Sequence, residues 1–140
     1  MFVDMQQLIN SVNKASQQER TNYHLTLGKL IEKLEKLDGA LRVVCSDRQD
    51  QGPGCAMSYS GCYSDLSFQP TTEPVTVDKF LVECNRSLGK VMEGYKGGDF
   101  RMGADTPLWV APYSYAPGRA VMDIMVVGDV AVLVIKQIED

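Results

Sequence analysis

Apolar residues recur along the first 38 positions with the period of a helix. Met5, Leu8, Ile9, Val12 and Ala15 fall on one face. After the polar stretch 16–22, Tyr23, Leu27, Leu30, Leu34 and Leu37 alternate spacings of four and three, the seam of a coiled coil. The pattern predicts a long N-terminal helix over 1–38, or two helices with a bend near Ser16 to Thr21, closed by Asp38-Gly39. A leucine seam of this length has to be covered, by the body of the same subunit or by a second subunit.

The rest of the chain alternates strand-like and helical patterns. Ala40 to Asp47 reads as a strand, 49–54 (QDQGPG) as a turn, and Ala56 to Phe68 as one strand or two short ones around Gly61. Thr76 to Tyr95 reads as the second helix, capped by Thr76, with Val77, Phe80, Leu81, Cys84, Leu88 and Val91 on its apolar face and Gly94 or Gly97-Gly98 ending it. Strand-like runs follow at 100–102, 108–115, 120–127 and 130–138. Gly128-Asp129 between the last two is a two-residue hairpin signal. The predicted fold is α+β, a single domain over 1–140, with two helices packed on an antiparallel sheet of five to six strands.

Composition narrows the function. With 140 residues, 44% of them hydrophobic and 23% charged, the chain suits one soluble domain with a real core. The net charge of −4 and pI near 5.0 disfavour duplex nucleic acid as a partner, because gripping many phosphates calls for a basic face. No apolar run is long enough to span a membrane, and Met1 to Asn10 lacks a secretory pattern, so a cytoplasmic location is expected. Cys45, Cys55, Cys62 and Cys84 show no paired spacing and the chain has one histidine, so these thiols read as buried or incidental rather than as metal ligands.

Leu88 to Arg119 is the distinctive segment. Glycines 94, 97 and 98 permit a tight reversal and close backbone approach, and exposed amides in such a turn cradle phosphate. Lys90, Lys96, Arg101 and Arg119 make a small positive island on an acidic background. Tyr95, Phe100, Trp109, Tyr113 and Tyr115 offer flat faces for a nucleobase, although strand aromatics such as Trp109 serve equally as core. Gly89 to Lys96 is not an NTPase phosphate loop, because Tyr95 intervenes where Lys should follow Gly directly and Gly97 stands where Ser or Thr is needed. Asp99 and Asp105 belong to no recognisable catalytic motif and read as loop caps. His24 reads as a solvated helix residue or, with Arg20, as an anion contact near a subunit interface.

The segments SYSGCYSDLSF (58–68), TVDKFL (76–81) and LGKVMEGYKGGDFRMGADTPLWVAPY (88–113) resemble the first type of Thoeris anti-defence protein. That family comprises small phage proteins that sequester cyclic ADP-ribose signals made by bacterial TIR-domain enzymes. The likeness covers roughly the last 85 residues. It implies a homo-oligomer, a dimer or a dimer-based hexamer, in the cytoplasm of a host cell. It also implies tight binding without catalysis, with no cofactor and no metal. The site residues it points to are Met92, Gly94, Tyr95, Lys96, Gly97, Arg101, Tyr113 and Arg119. Met92 stands where relatives place an aromatic, Arg119 matches a basic residue near the pyrophosphate, and Ser60 replaces an Arg frequent in relatives. Arg20 and His24 correspond to a separate site for cyclic oligonucleotides.

A compact cyclic dianion with a flat base needs one apolar face, one or two guanidiniums and several backbone amides. Two other readings stand beside this one: a helix-mediated oligomeric module that blocks a host protein directly, and a small nucleotide hydrolase using Asp99 or Asp105.

Overall fold

The computed structural model describes residues 25–59, 62–93, 99–111 and 118–138. Within them the chain runs α1 (Leu27–Glu35), β1 (Arg42–Cys45), β2 (Gly52–Tyr59), β3 (Cys62–Thr71), α2 (Val77–Ser87), β4 (Val91–Glu93), β5 (Asp99–Arg101), β6 (Leu108–Val110), β7 (Gly118–Val127) and β8 (Val130–Ile138). The fold is α+β. Six strands form one sheet in the order β1-β8-β7-β6-β3-β2, and β4 and β5 form a separate two-stranded ribbon.

The predicted C-terminal hairpin is the spine of the sheet. β7 and β8 pair antiparallel from Gly118↔Ile138 to Val127↔Val130. Gly128 sits at φ +63°, the left-handed backbone that the first central residue of such a two-residue turn requires. The sheet as a whole is mixed and not antiparallel: β1 runs parallel to β8, and β3 runs parallel to β6. Turn signals specify pairings between neighbours in sequence. These two pairings are long-range, and a parallel pair requires a crossover. Between β3 and β6 the crossover carries α2 and the β4–β5 ribbon.

The first helix differs from its prediction. Leu25 and Thr26 are extended. The Leu25 amide donates to the Val121 carbonyl at 2.8 Å, and Thr26 forms a bridge with Pro107, so the chain joins the sheet before α1 begins at Leu27. An unbroken helix through 38 is therefore excluded at Leu25–Thr26, and the predictions for 1–24 lie outside the described residues. Leu27, Leu30, Ile31 and Leu34 are buried at helical spacing, so the seam is consumed as core. Gly28 allows the close approach of the 103–106 turn: its amide donates to the Ala104 carbonyl at 2.9 Å, and an added Cβ would lie 2.8 Å from that of Ala104.

The second helix starts as predicted, the Thr76 hydroxyl accepting the Lys79 amide at 3.3 Å, but it ends at Ser87 and not at Tyr95. Gly89, at φ +80°, reverses the chain there. Beyond it, Gly89 and Lys90 exchange backbone hydrogen bonds with Met102, which starts the ribbon. Leu88 and Val91, expected on the helix's apolar face, are exposed.

Both helices and the ribbon pack on the front face of the sheet. Phe68 on β3 meets Phe80 on α2 edge to face at 4.9 Å, within a core that includes Leu66, Leu108, Val110, Leu133 and Met102. The outer edge of β1 is not free. The Val43 amide donates to the Val75 carbonyl and the Cys45 amide to the Gln51 carbonyl, both at 2.8 Å. The segments flanking the β2–β3 hairpin thus close on β1, and the sheet curls around its front core. Covering an edge in this way removes a template for aggregation. The back face is also apolar and buried, with Tyr59, Trp109, Ala120, Met122 and Val134 in one cluster and Val44, Val127, Val130 and Val132 in another.

Candidate functional site

Of the predicted ligand-binding residues, Met92, Arg101 and Arg119 are described. Gly94, Tyr95, Lys96, Gly97 and Tyr113, with Arg20 and His24 of the suggested second site, lie outside the described residues. The three that are described do not converge through any shared contact. Met92 is on β4, paired with Phe100, and buries its side chain in the front core. It therefore packs the ribbon against the body and does not present a free stacking surface. Arg101 is exposed at the end of β5, and its Nη1 donates to the Gly89 carbonyl at 3.1 Å, bracing the reversal after α2. The residue is exposed, which suits an anion contact. Asp105, one of the suggested hydrolase carboxylates, is exposed in the turn in which the Thr106 hydroxyl accepts the Gly103 amide.

Arg119 is in a different setting. It is the second residue of β7, and on the front face it reaches across to Asp47, just past β1. Nε donates to Oδ2 and Nη2 to Oδ1, each at 2.7 Å, a two-pronged charge-assisted pair. Only 3% of Arg119 is exposed, and Nη1 is buried with no hydrogen-bond partner among the described residues. Burial opposes the charge, but the hydrogen bonds and charge of Asp47 outweigh it and hold the guanidinium above its ordinary pKa. Cys45 lies alongside. Its burial pushes the thiol up to about 12, the neighbouring Arg119 reversing that only in part and Asp47 adding to it. The same β1 terminus is tied to β8 by Ser46, whose hydroxyl accepts the Ile135 amide at 2.8 Å.

On the opposite face, one residue away, Tyr59 and Trp109 stack with ring centroids 4.2 Å apart and planes 6° from parallel. The Trp109 indole N–H donates to Asp65 at 2.9 Å. Gly118 lies against both rings, and an added Cβ would come within 2.6 Å of Trp109 Cζ3 and 2.8 Å of the Tyr59 hydroxyl. The start of β7 therefore carries a guanidinium on one face and an aromatic stack on the other.

A cleft of about 370 Å³ opens elsewhere, between α2 and the base of the β2–β3 hairpin. Lys79 and Glu83, one helical turn apart, line it with Cys55 and Pro53, Pro70 and Pro74. Cys55 is exposed at a break in register between Pro53 and Ala56, and Glu83 accepts the Ala56 amide freed there at 3.1 Å. Asp47, Cys45 and this cleft were not singled out from sequence. The i, i+4 spacing of Lys79 and Glu83 was the one visible sign of the cleft.

Among the described residues no group of three or more His, Cys, Asp or Glu side chains is placed to hold a metal, and no helix is long and apolar enough to cross a membrane. Compared with known proteins, the chain matches no protein-family model, no curated protein and no solved structure.

Proposed function

We propose that this chain is a non-catalytic sponge that captures a small anionic metabolite bearing a nucleobase, of the cyclic ADP-ribose kind, and releases it unaltered. In this reading it acts as a homo-oligomer in the host-cell cytoplasm and silences TIR-dependent signalling. The observation that carries the reading is the half-satisfied Arg119 guanidinium. A buried donor without an acceptor costs about 1–3 kcal/mol, and such groups are rare in native proteins. A ligand oxygen at Nη1 would remove that cost. Because Asp47 already neutralises Arg119, the pair offers a directed hydrogen bond more than net charge. Arg101 and Lys90 are exposed cations by the β4–β5 ribbon, and in this reading they attract the anion from solution. A rigid cyclic ligand loses little conformational entropy on capture, so tight binding needs no chemical step.

Incubation with cyclic ADP-ribose isomers, removal of free ligand, heat denaturation and analysis of what is released tests the reading. Intact ligand in near-stoichiometric yield supports it. A converted product favours the hydrolase, and absence of uptake favours a direct protein-blocking module; either result ends the sponge reading.

A further inference from the structure

At the base of the β2–β3 hairpin Pro53 stands opposite Pro70, and neither has an amide to donate to the ladder. The pairing slips between Pro53 and Ala56, and the gap between this part of the hairpin and α2 is the cleft of about 370 Å³, within the size range of small-molecule sites. Its walls are apolar, made by the rings of Pro53, Pro70 and Pro74 with Val75 and Phe80. Its charged groups are Glu73, Lys79 and Glu83. Lys79 and Glu83 stand at i, i+4 on α2, a spacing at which opposite charges commonly pair, yet they form no ion pair. Glu83 is engaged elsewhere: Oε2 accepts the Ala56 amide at 3.1 Å, and Oε1 lies 3.8 Å from Arg86 Nη1. The Lys79 ammonium and the Glu73 carboxylate have no polar partner among the described residues, where only their backbone amides are bonded, to Thr76 and Thr71. The cleft thus offers an apolar wall and one unpaired group of each sign.

We propose that this cleft binds a small zwitterion, an α-amino acid with an apolar side chain. The ligand's carboxylate pairs with Lys79, its ammonium with Glu73, and its side chain lies on the proline and Phe80 wall. The charges select this class. An anion alone leaves Glu73 beside a like charge, and a cation alone does the same with Lys79, whereas a zwitterion answers both. Lys79 and Glu73 are exposed, so neither charge is stranded in the core while the cleft is empty. The site shares no residue with Arg101 or Arg119, so it stands or falls apart from the sponge reading.

Calorimetric titration of the full chain with L-phenylalanine, 3-phenylpropionate and 2-phenylethylamine tests it. L-Phenylalanine is expected to bind with a Kd of about 1 mM or tighter. Each singly charged analogue, lacking one ion pair, is expected to bind about threefold to fivefold more weakly. Cys55 lines the same cleft and is exposed, so saturating L-phenylalanine is expected to slow its labelling by iodoacetamide several-fold. Lys79→Gln and Glu73→Gln alter exposed side chains and leave the fold intact, and each is expected to weaken L-phenylalanine by about the same threefold to fivefold. No binding at about 10 mM, equal affinity for either analogue, unchanged labelling of Cys55 at saturation, or indifference to both variants would overturn the proposal.

Discussion

Arg119 and Asp47 are 72 residues apart in sequence and meet in a two-pronged ion pair with both contacts at 2.7 Å, the Arg119 side chain all but inaccessible and the Asp47 side chain 17% exposed. The pair ties the start of β7 to the end of β1 across β8, so it locks the edge of the sheet to its centre. Removing one partner leaves a buried charge without its counter-ion. Asp47→Asn is expected to cost about 3–5 kcal/mol of stability, read as a lower urea midpoint with an unchanged slope. The double variant Asp47→Leu with Arg119→Met recovers most of that loss. Additive losses in the double variant would show that the pair does not act as a unit.

Gly118→Ala forces a Cβ against two rigid rings. Overpacking of this kind costs about 1–3 kcal/mol. The chain has a single tryptophan, so displacement of Trp109 from Tyr59 is visible directly in near-UV dichroism and intrinsic fluorescence. An unaltered spectrum together with wild-type stability would refute the packing described for the start of β7.

Stability falls in alkali through the buried thiols. Burial raises the folded pKa of Cys45 from 9.0 to about 12, and Cys84 is raised in the same direction. Below pH 9 both states hold the proton and the contribution is complete. Between pH 9 and about 12 the unfolded thiol ionises while the folded one does not, so each pH unit removes up to about 1.4 kcal/mol per thiol. Comparing the chain with Cys45→Ala isolates one thiol, and the variant's alkaline limb should be shallower. Parallel limbs would exclude Cys45 as a source.

Thiol labelling separates the cysteines by position. Cys55 is exposed in the cleft, whereas Cys45 and Cys84 are fully enclosed. Iodoacetamide at neutral pH is expected to modify Cys55 within minutes and the two buried thiols only on the timescale of unfolding, as followed by peptide mass mapping. Comparable labelling of Cys84 in the native protein would contradict the packing of α2.

If the sponge reading holds, Arg101→Ala is expected to weaken ligand capture by about 1.5–3 kcal/mol, the worth of a hydrogen bond to a charged group. Its effect on stability should stay within about 0.5 kcal/mol, since the side chain is exposed. Calorimetric titration and thermal melts separate the two effects. Unchanged affinity removes Arg101 from the site.

Helical spacing in Leu27 to Leu34, the Thr76 cap, the strand-like run at 130–138 and the Gly128-Asp129 turn each write a local conformation into a few neighbouring residues. All four stand in the structure. The local code also misleads where tertiary contacts outbid it. The heptad spacing of Tyr23 and Leu27 continues the helical pattern through Leu25 and Thr26, yet those two residues are extended against Val121 and Pro107. Val91 fits the helical face of α2, but Gly89 had already turned the chain.

By itself, the sequence determined the α+β class, the hairpin at the C-terminus, the net negative charge and the apolar identity of most core positions. Each of these follows from residue type and short-range period. Only the tertiary structure decided that β1 lies parallel to β8 and β3 to β6, that Arg119 is neutralised by Asp47, and that Met92 is core. Those outcomes depend on which distant segments meet when both faces of one sheet must be buried. No local pattern encodes that choice, because the free energy that settles it belongs to the assembled core.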